Sequence, residues 1–320
     1  MRRSHLCPAS VPLSLKHTMT LRIGPAGWSY KDWEGIVYPA PKPRDFDPLT
    51  YLAGYFDAVE VNATFYRPTT ASAAQAWVDR AAAGERARDR FRFTAKLWQR
   101  FTHERDAAFT PADVDAVRRG FDVLADAGRL GAVLVQFPWS FKRDDAAREW
   151  LDDVTRAFGA DGAGYPLVLE VRHASWNVPA FYQGLAERGV GFVNVDQPLF
   201  AKSLGPSATA TAPVGYVRLH GRNYEDWWRS DAGVEARYDY LYTAAELAPW
   251  AERARAVAAV APETFVVTNN HYRGQAVTNA VMLEAMVTGA PAAAPPGVVA
   301  AYPGALAAYA AYAAYAAREE

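Results

Sequence analysis

The stretch Val214-Gly215-Tyr216-Val217-Arg218-Leu219-His220-Gly221-Arg222 decides the fold. Val217 and Leu219 alternate with Arg218 and His220, the period-two pattern of a strand. The run then ends in ionisable residues. Seven more apolar, β-branched runs have the same character, at 21–28, 58–64, 90–98, 132–138, 166–173, 191–196 and 264–271. Nearly all end in polar groups, and a helix-like stretch follows most of them. Strands that alternate with helices at this spacing predict parallel βαβ units. Eight such units fit a single (β/α)8 TIM barrel, whose usual size is about 250 residues. The C-terminal ends of barrel strands form the face where such folds place their chemistry.

Both faces of a barrel strand are buried, one against helices and one inside the barrel. In 58–64, Val59, Val61 and Ala63 are assigned to the helices, and Glu60, Asn62 and Thr64 to the interior. The same parity sends Glu170 and Arg172 inward, opposite Leu167, Leu169 and Val171. Asn194 and Asp196 are expected inside, opposite Val193 and Val195. Thr94, Lys96 and Gln136 repeat the pattern on the third and fourth strands, and Arg218 and His220 on the seventh. Asn269, Asn270 and His271 straddle both faces of the eighth.

Composition fits a globular enzyme-sized chain: 320 residues, 51% hydrophobic, net charge −1. That balance advertises neither nucleic acid nor an anionic membrane as partner. No apolar run reaches the roughly 20 residues that span a bilayer. The single cysteine, Cys7, allows no disulfide framework and suits a reducing cytoplasm. Three segments are expected: an N-terminal extension at 1–18 without periodicity, the barrel at 19–289, and an Ala-, Pro- and Tyr-rich tail at 290–320. The alanines of 305–318 predict a helix.

Between the strands, Thr110-Pro111-Ala112-Asp113 reads as a helix start, with Thr110 as cap and Pro111 first. Further helices are expected at 70–83, 178–188, 245–260 (with Pro249 in its first turn) and 274–288. The segment 222–242 is different, holding Tyr224, Trp227, Trp228, Tyr238, Tyr240 and Tyr242 on the active face. A loop so rich in aromatics there is a lid or a stacking platform.

Local motifs extend this reading. Gly24-Pro25-Ala26-Gly27-Trp28-Ser29-Tyr30 is followed by Trp33, Gly35 and Tyr38-Pro39. Then come Val59-Glu60-Val61-Asn62-Ala63-Thr64-Phe65-Tyr66, Phe91-Arg92-Phe93 with Lys96, and Thr102-His103. Gln136-Phe137-Pro138, Glu170-Val171-Arg172-His173 with Ser175-Trp176, Arg218-Leu219-His220-Gly221-Arg222 and Asn269-Asn270-His271 complete the set. In this order they resemble the YecE-like family, known as domain of unknown function 72, over about residues 21–285. The resemblance implies a TIM barrel with a pocket at the strand C-termini, and no particular reaction. Pro25-Ala26 departs from the small hydroxylated residue usual in that family.

The chemistry is therefore argued from residues. The inward set holds the acids Glu60, Glu170 and Asp196, the bases Lys96, Arg172 and Arg218, and His220. Glu60, Glu170, His220 and Asp196 are the catalytic candidates, because carboxylates and histidine in one cavity serve acid–base chemistry. Lys96, Arg172, Arg218 and Arg222 are candidates for holding an anion. Asn62, Tyr66, Gln136, Trp176, Asn270 and His271 complete the expected binding set.

Three functions follow. The first is an enzyme acting on a small polar, phosphorylated or polyhydroxylated ligand. The second is a hydrolase or isomerase using a divalent metal held by Glu60, Glu170, Asp196, His220 and His271, by fold-level analogy with endonuclease IV and xylose isomerase barrels. Acting on nucleic acid, such an enzyme would stack bases on the 222–242 aromatics. The third is a non-catalytic binding barrel. Charge removal at Glu170 is expected to cost under about 1.5 kcal/mol if the bases find other acids, against the larger cost of an orphaned buried charge.

Overall fold

A computed structural model describes residues 20–84, 90–227, 229 and 234–311. Each expected run contains one strand: β1 (Thr20–Pro25), β2 (Ala58–Val61), β3 (Arg92–Lys96), β4 (Leu130–Gln136), β5 (Leu167–Glu170), β6 (Gly191–Asp196), β7 (Val214–Leu219) and β8 (Glu263–Thr268). They form one parallel sheet in the order β1-β8-β7-β6-β5-β4-β3-β2. The remaining seam, between β1 and β2, closes through a bridge from Ala26 to Glu60, and the Gly27 N–H donates to the Glu60 carbonyl at 2.8 Å. Gly24 permits this approach, because a Cβ there would lie 1.8 Å from the Ala58 carbonyl oxygen.

Several strands end earlier than their runs, because the chain leaves the sheet to build the loops of the active face. β5 stops at Glu170, and His173 instead caps a 3-10 turn, accepting at Nδ1 from the Ser175 N–H at 3.1 Å. The predicted cap at Thr110 is present as a full capping box with Asp113 on the helix Pro111–Asp126. Helices Ala71–Ala82, Pro179–Glu187, Ala244–Ala258 and Gln275–Thr288 lie where expected. Pro249 falls in the second turn of its helix rather than the first. Asp145–Phe158 is a further helix that no proline announces; Asp144 caps it by accepting from the Ala147 N–H. The β6–β7 connection, residues 197–213, contains no helix.

The tail departs from expectation. The described part of the expected 305–318 helix, up to 311, is not one helix: there are short turns of helix at Pro296–Ala301 and Pro303–Leu306 and a two-residue strand pairing Ala310–Ala311 with Ala292–Ala293. Prolines at the first helical positions set these short breaks. Val298, Leu306 and Ala310 are buried. Residues 312–320, the N-terminal extension with Cys7, and Trp228 lie outside the described residues.

Inside the barrel, Ala58, Ala132, Leu134, Val168, Val193, Val195, Tyr216, Phe265 and Val267 make one apolar cluster. Small Ala58 and Ala132 leave room for the large Phe265 and Tyr216 rings, filling the interior as closely as an organic crystal. This cluster corrects the parity assigned to β6. Val193 and Val195 point in, so Asn194 and Asp196 point out. Asn194 is bound there by the β6–β7 connection: its Oδ1 accepts from Ser207 Oγ at 2.6 Å and the Thr209 N–H at 2.8 Å. A polar residue had been sent inward where the neighbouring loop, invisible to strand periodicity, satisfies it from outside.

Candidate functional site

Above the apolar cluster the inward positions become polar. Lys96 ends β3, Gln136 β4 and Glu170 β5, while Glu60 and Arg218 each sit one residue from the end of β2 and β7. Arg218 is the hub and is fully buried. It donates to both Glu60 oxygens, from Nε at 3.0 Å and Nη2 at 2.7 Å. Its Nη1 donates to Glu170 Oε2 at 3.0 Å and Gln136 Oε1 at 2.9 Å. Tyr216 adds a donor to Glu60 at 2.9 Å. Arg172, on the loop after β5, donates to Glu170 Oε1 from Nε at 2.9 Å and Nη2 at 2.8 Å.

His220 completes this floor. Its Nε2 lies 3.2 Å from Glu170 Oε1 and the same distance from Arg172 Nη2 and Arg218 Nη1. On the other side, Asn269 Nδ2 is 3.0 Å from Nδ1. With that amide donating, the proton of the neutral ring is assigned to Nε2, facing Glu170. Burial lowers the ring to about 3, with the two guanidiniums adding to the effect, so it is uncharged at neutral pH. Burial opposes the Glu170 charge, yet Arg218, Arg172 and His220 outweigh it and hold the carboxyl well below its usual range.

A cavity of about 360 Å³ opens directly above this floor. Lys96, Arg172 and Arg237 line it, together with Gln99, His103, Gln136, Gln197 and Ser203. Phe65, Tyr66, Trp139, Trp227 and Tyr238 supply aromatic wall. Among the described residues no carboxylate lines it. Two of its donors, Gln197 Nε2 and Arg237 Nε, are buried without a hydrogen-bond partner among the described residues. Burial lowers Lys96 to about 7, helped by the like charge of Arg218, and it lowers His103 to about 4.

The expected residues thus divide by position. Lys96, Gln136, Arg172 and Tyr66 line the cavity. Glu60, Glu170, Arg218 and His220 lie beneath it, locked to one another. Asp196 sits apart, held by Arg222 Nε at 2.9 Å, and Arg222 also reaches Glu246 at 3.5 Å. Asn270 is buried, donating to the Tyr240 carbonyl and Asn279. Trp176 belongs to the outer core, its indole donating to the Phe141 carbonyl. Asn62 and His271 form a neighbouring cluster through Tyr30, which stacks on His271 with ring centres 4.3 Å apart.

The five metal-ligand candidates are consequently not gathered. Arg218 or Arg222 occupies three of their carboxylates, and no group of three His, Cys, Asp or Glu suited to a metal occurs among the described residues. In the aromatic segment, Trp227 and Tyr238 do face the cavity, whereas Tyr242 is buried and accepts from the Gly221 N–H. Gln99, Gln197, Ser203 and Arg237 lie on loops or short turns, where periodicity gives no signal. Tyr216 shares the face of Arg218 and His220 and was readable by parity.

Comparison with known proteins follows this geometry. The family described as "Protein of unknown function DUF72" matches residues 22–300. UPF0759 protein YunF of Bacillus subtilis (strain 168) is 28% identical over 272 residues, covering 80% of this chain and 91% of its own. A DUF72 family protein from Thermotoga maritima MSB8 has 31% identity and a TM-score of 0.71, covering 84% of this chain and 99% of that one. A DUF72 family protein from Enterococcus faecalis V583 shares the fold at a TM-score of 0.70 with 23% identity, covering 84% and 96% of the two chains. No helix among the described residues is long and apolar enough to cross a membrane.

Proposed function

Because the chain belongs to the DUF72 family, whose description assigns no reaction, we propose a function from the site itself: an enzyme that performs acid–base chemistry on a small anionic substrate, phosphorylated or carboxylated and polyhydroxylated. One observation carries this reading. Among the described residues the cavity wall presents three cationic side chains and two orphaned buried donors but no carboxylate. Buried donors without partners are costly, and an acceptor-rich anion satisfies them. Arg172 and Arg237 hold the anion, and the flat aromatic walls suit the apolar face of a sugar-like body. A volume near 360 Å³ lies at the small end of ligand pockets, the size of a metabolite rather than a polymer.

The reactive group that reaches the substrate, whether to take a proton or to attack, is Lys96 and not one of the buried acids. A base should have a pKa near the working pH and reach the substrate. Lys96 lines the cavity and is lowered to about 7, whereas Glu170 is held ionised and His220 neutral beneath it. In this reading Glu60, Glu170, Arg218 and His220 are positioning residues that fix Arg172 and the charge around Lys96.

The test is a turnover screen by proton NMR, pairing sugar phosphates and sugar acids with their neutral parent sugars. Anionic members alone are expected to be consumed, and Lys96→Met should slow this at least about 100-fold, the lower end of what a positioned base contributes. Equal consumption of neutral sugars, or full activity in the variant, contradicts the proposal.

A further inference from the structure

We infer that Lys96 is a nucleophile, forming an imine with an aldehyde or ketone group of the anionic substrate. This rests on the cavity being an anion site and names the substrate class: a phosphorylated or carboxylated carbonyl compound. Three placements support it. Lys96 ends β3 on the inner face, so its backbone is held by pairing to β2 and β4. Its side chain lines the cavity beside Gln136 and Arg172. It makes no hydrogen bond or ion pair among the described residues, and Nζ lies 5.7 Å from the centre of the Phe65 ring.

The contrast with its neighbours is informative. Arg172 and Arg218 are both engaged by Glu170, and Arg218 also by Glu60. The carboxylates of the floor are thus spent on guanidiniums, and the ammonium above them is left unpaired. An unpaired cation in a confined site favours its neutral amine, the form that attacks carbonyl carbon. Burial and the charges of Arg218 and Arg172 push Lys96 toward the amine, against Glu60 and Glu170, leaving it near pH 7 half deprotonated. His103, kept neutral by burial, lines the wall together with Tyr66, Tyr238, Arg172 and Arg237.

The step balances without an oxidant. The Nζ lone pair bonds to the carbonyl carbon, the C=O π pair moves to oxygen, and one proton passes from nitrogen to oxygen to give a carbinolamine. That oxygen takes a proton from solvent and leaves as water while nitrogen forms C=N. One proton is consumed, one water is released, and a protonated imine remains.

Trapping with sodium cyanoborohydride at pH 7 tests this, with dihydroxyacetone phosphate and pyruvate as probes and peptide mapping as the readout. One equivalent of label is expected at Lys96, at least tenfold faster than at Lys16, Lys31, Lys42, Lys142 or Lys202. Its rate should rise with pH to half-maximum near 7. Lys96→Arg and Lys96→Met should lose the label while keeping a melting midpoint at or above that of the unmodified chain. Glycerol 3-phosphate, which lacks a carbonyl, should raise the midpoint and slow labelling.

If it raises the midpoint but Lys96 takes no label, or label spreads evenly over the lysines, the imine is overturned and the anion site stands. If Lys96 is labelled selectively but glycerol 3-phosphate has no effect, the nucleophile stands and the anion site falls.

Discussion

Arg218→Met is expected to lower stability by about 3–5 kcal/mol at pH 7.5, the usual cost of removing one partner from a buried ionic cluster. The guanidinium makes four hydrogen bonds to Glu60, Glu170 and Gln136 and is fully buried with both acids. Methionine fills similar volume but leaves two buried carboxylates with Arg172 and a partly deprotonated Lys96 as the nearby cations.

The pH dependence should reverse. In the unsubstituted chain Glu170 is held below its unfolded value, so its contribution is present above about pH 4.5 and is lost as pH falls. Without Arg218, burial raises the carboxyl pKa values above their unfolded values, so the folded variant binds protons more readily and gains stability as pH falls toward 5. Urea denaturation at pH 7.5, 5 and 3.5 checks both signs. A loss below about 1 kcal/mol with no pH dependence would mean that the cluster contributes little.

Glu170→Gln is the second large effect, and the geometry revises the sequence-based expectation. Among the described residues Arg172 has no other acid: its guanidinium is paired with Glu170, and His220 Nε2 lies 3.2 Å away. Asp196, which would have compensated, lies outside the barrel with Arg222. The variant strands a guanidinium that is only 15% exposed, so the expected cost rises to about 2–4 kcal/mol, below the full range because Arg172 retains some solvent. The two proteins should converge in stability as pH falls below about 4.5, where the carboxylate's contribution vanishes. His220 also costs stability below pH 6.5, as the unfolded ring takes a proton that the folded ring refuses until about 3. Both proteins share that loss, and subtracting one denaturation series from the other removes it. Equal stability at pH 7.5 would return Arg172 to solvent.

The fold was legible because hydrophobic periodicity reports burial directly. Eight runs gave eight strands, and β6 was bounded to the residue. Parity placed Glu60, Thr94, Lys96, Gln136, Glu170 and Arg218 on the inner face, since each lies two residues from an apolar inward neighbour or from another of the set. It failed at Asp196 because alternation tells two faces apart without saying which is inside. On β6 the valines were narrow enough for the interior and a loop satisfied the polar residues outside. The floor of the site was thus readable and the cavity wall only in part. Arg237, Gln197 and Ser203 come from connections whose course depends on tertiary packing, not on local pattern. Nor does spacing show that Glu60 and Glu170 are consumed by Arg218. That depends on side-chain reach across the barrel, and it is the reason the proposed chemistry rests on Lys96 and not on the acids.

The account stands most directly on one calorimetric titration, of glycerol 3-phosphate against glycerol, into the unsubstituted chain and Arg237→Gln. One equivalent of the phosphate should bind while glycerol does not. Arg237→Gln should weaken binding about 10- to 100-fold, the loss of a charged hydrogen bond worth about 1.5–3 kcal/mol. Raising salt should weaken it further only where the site stays open to solvent. Equal binding of glycerol, or phosphate binding unchanged by Arg237→Gln, would contradict a cavity built to hold an anion.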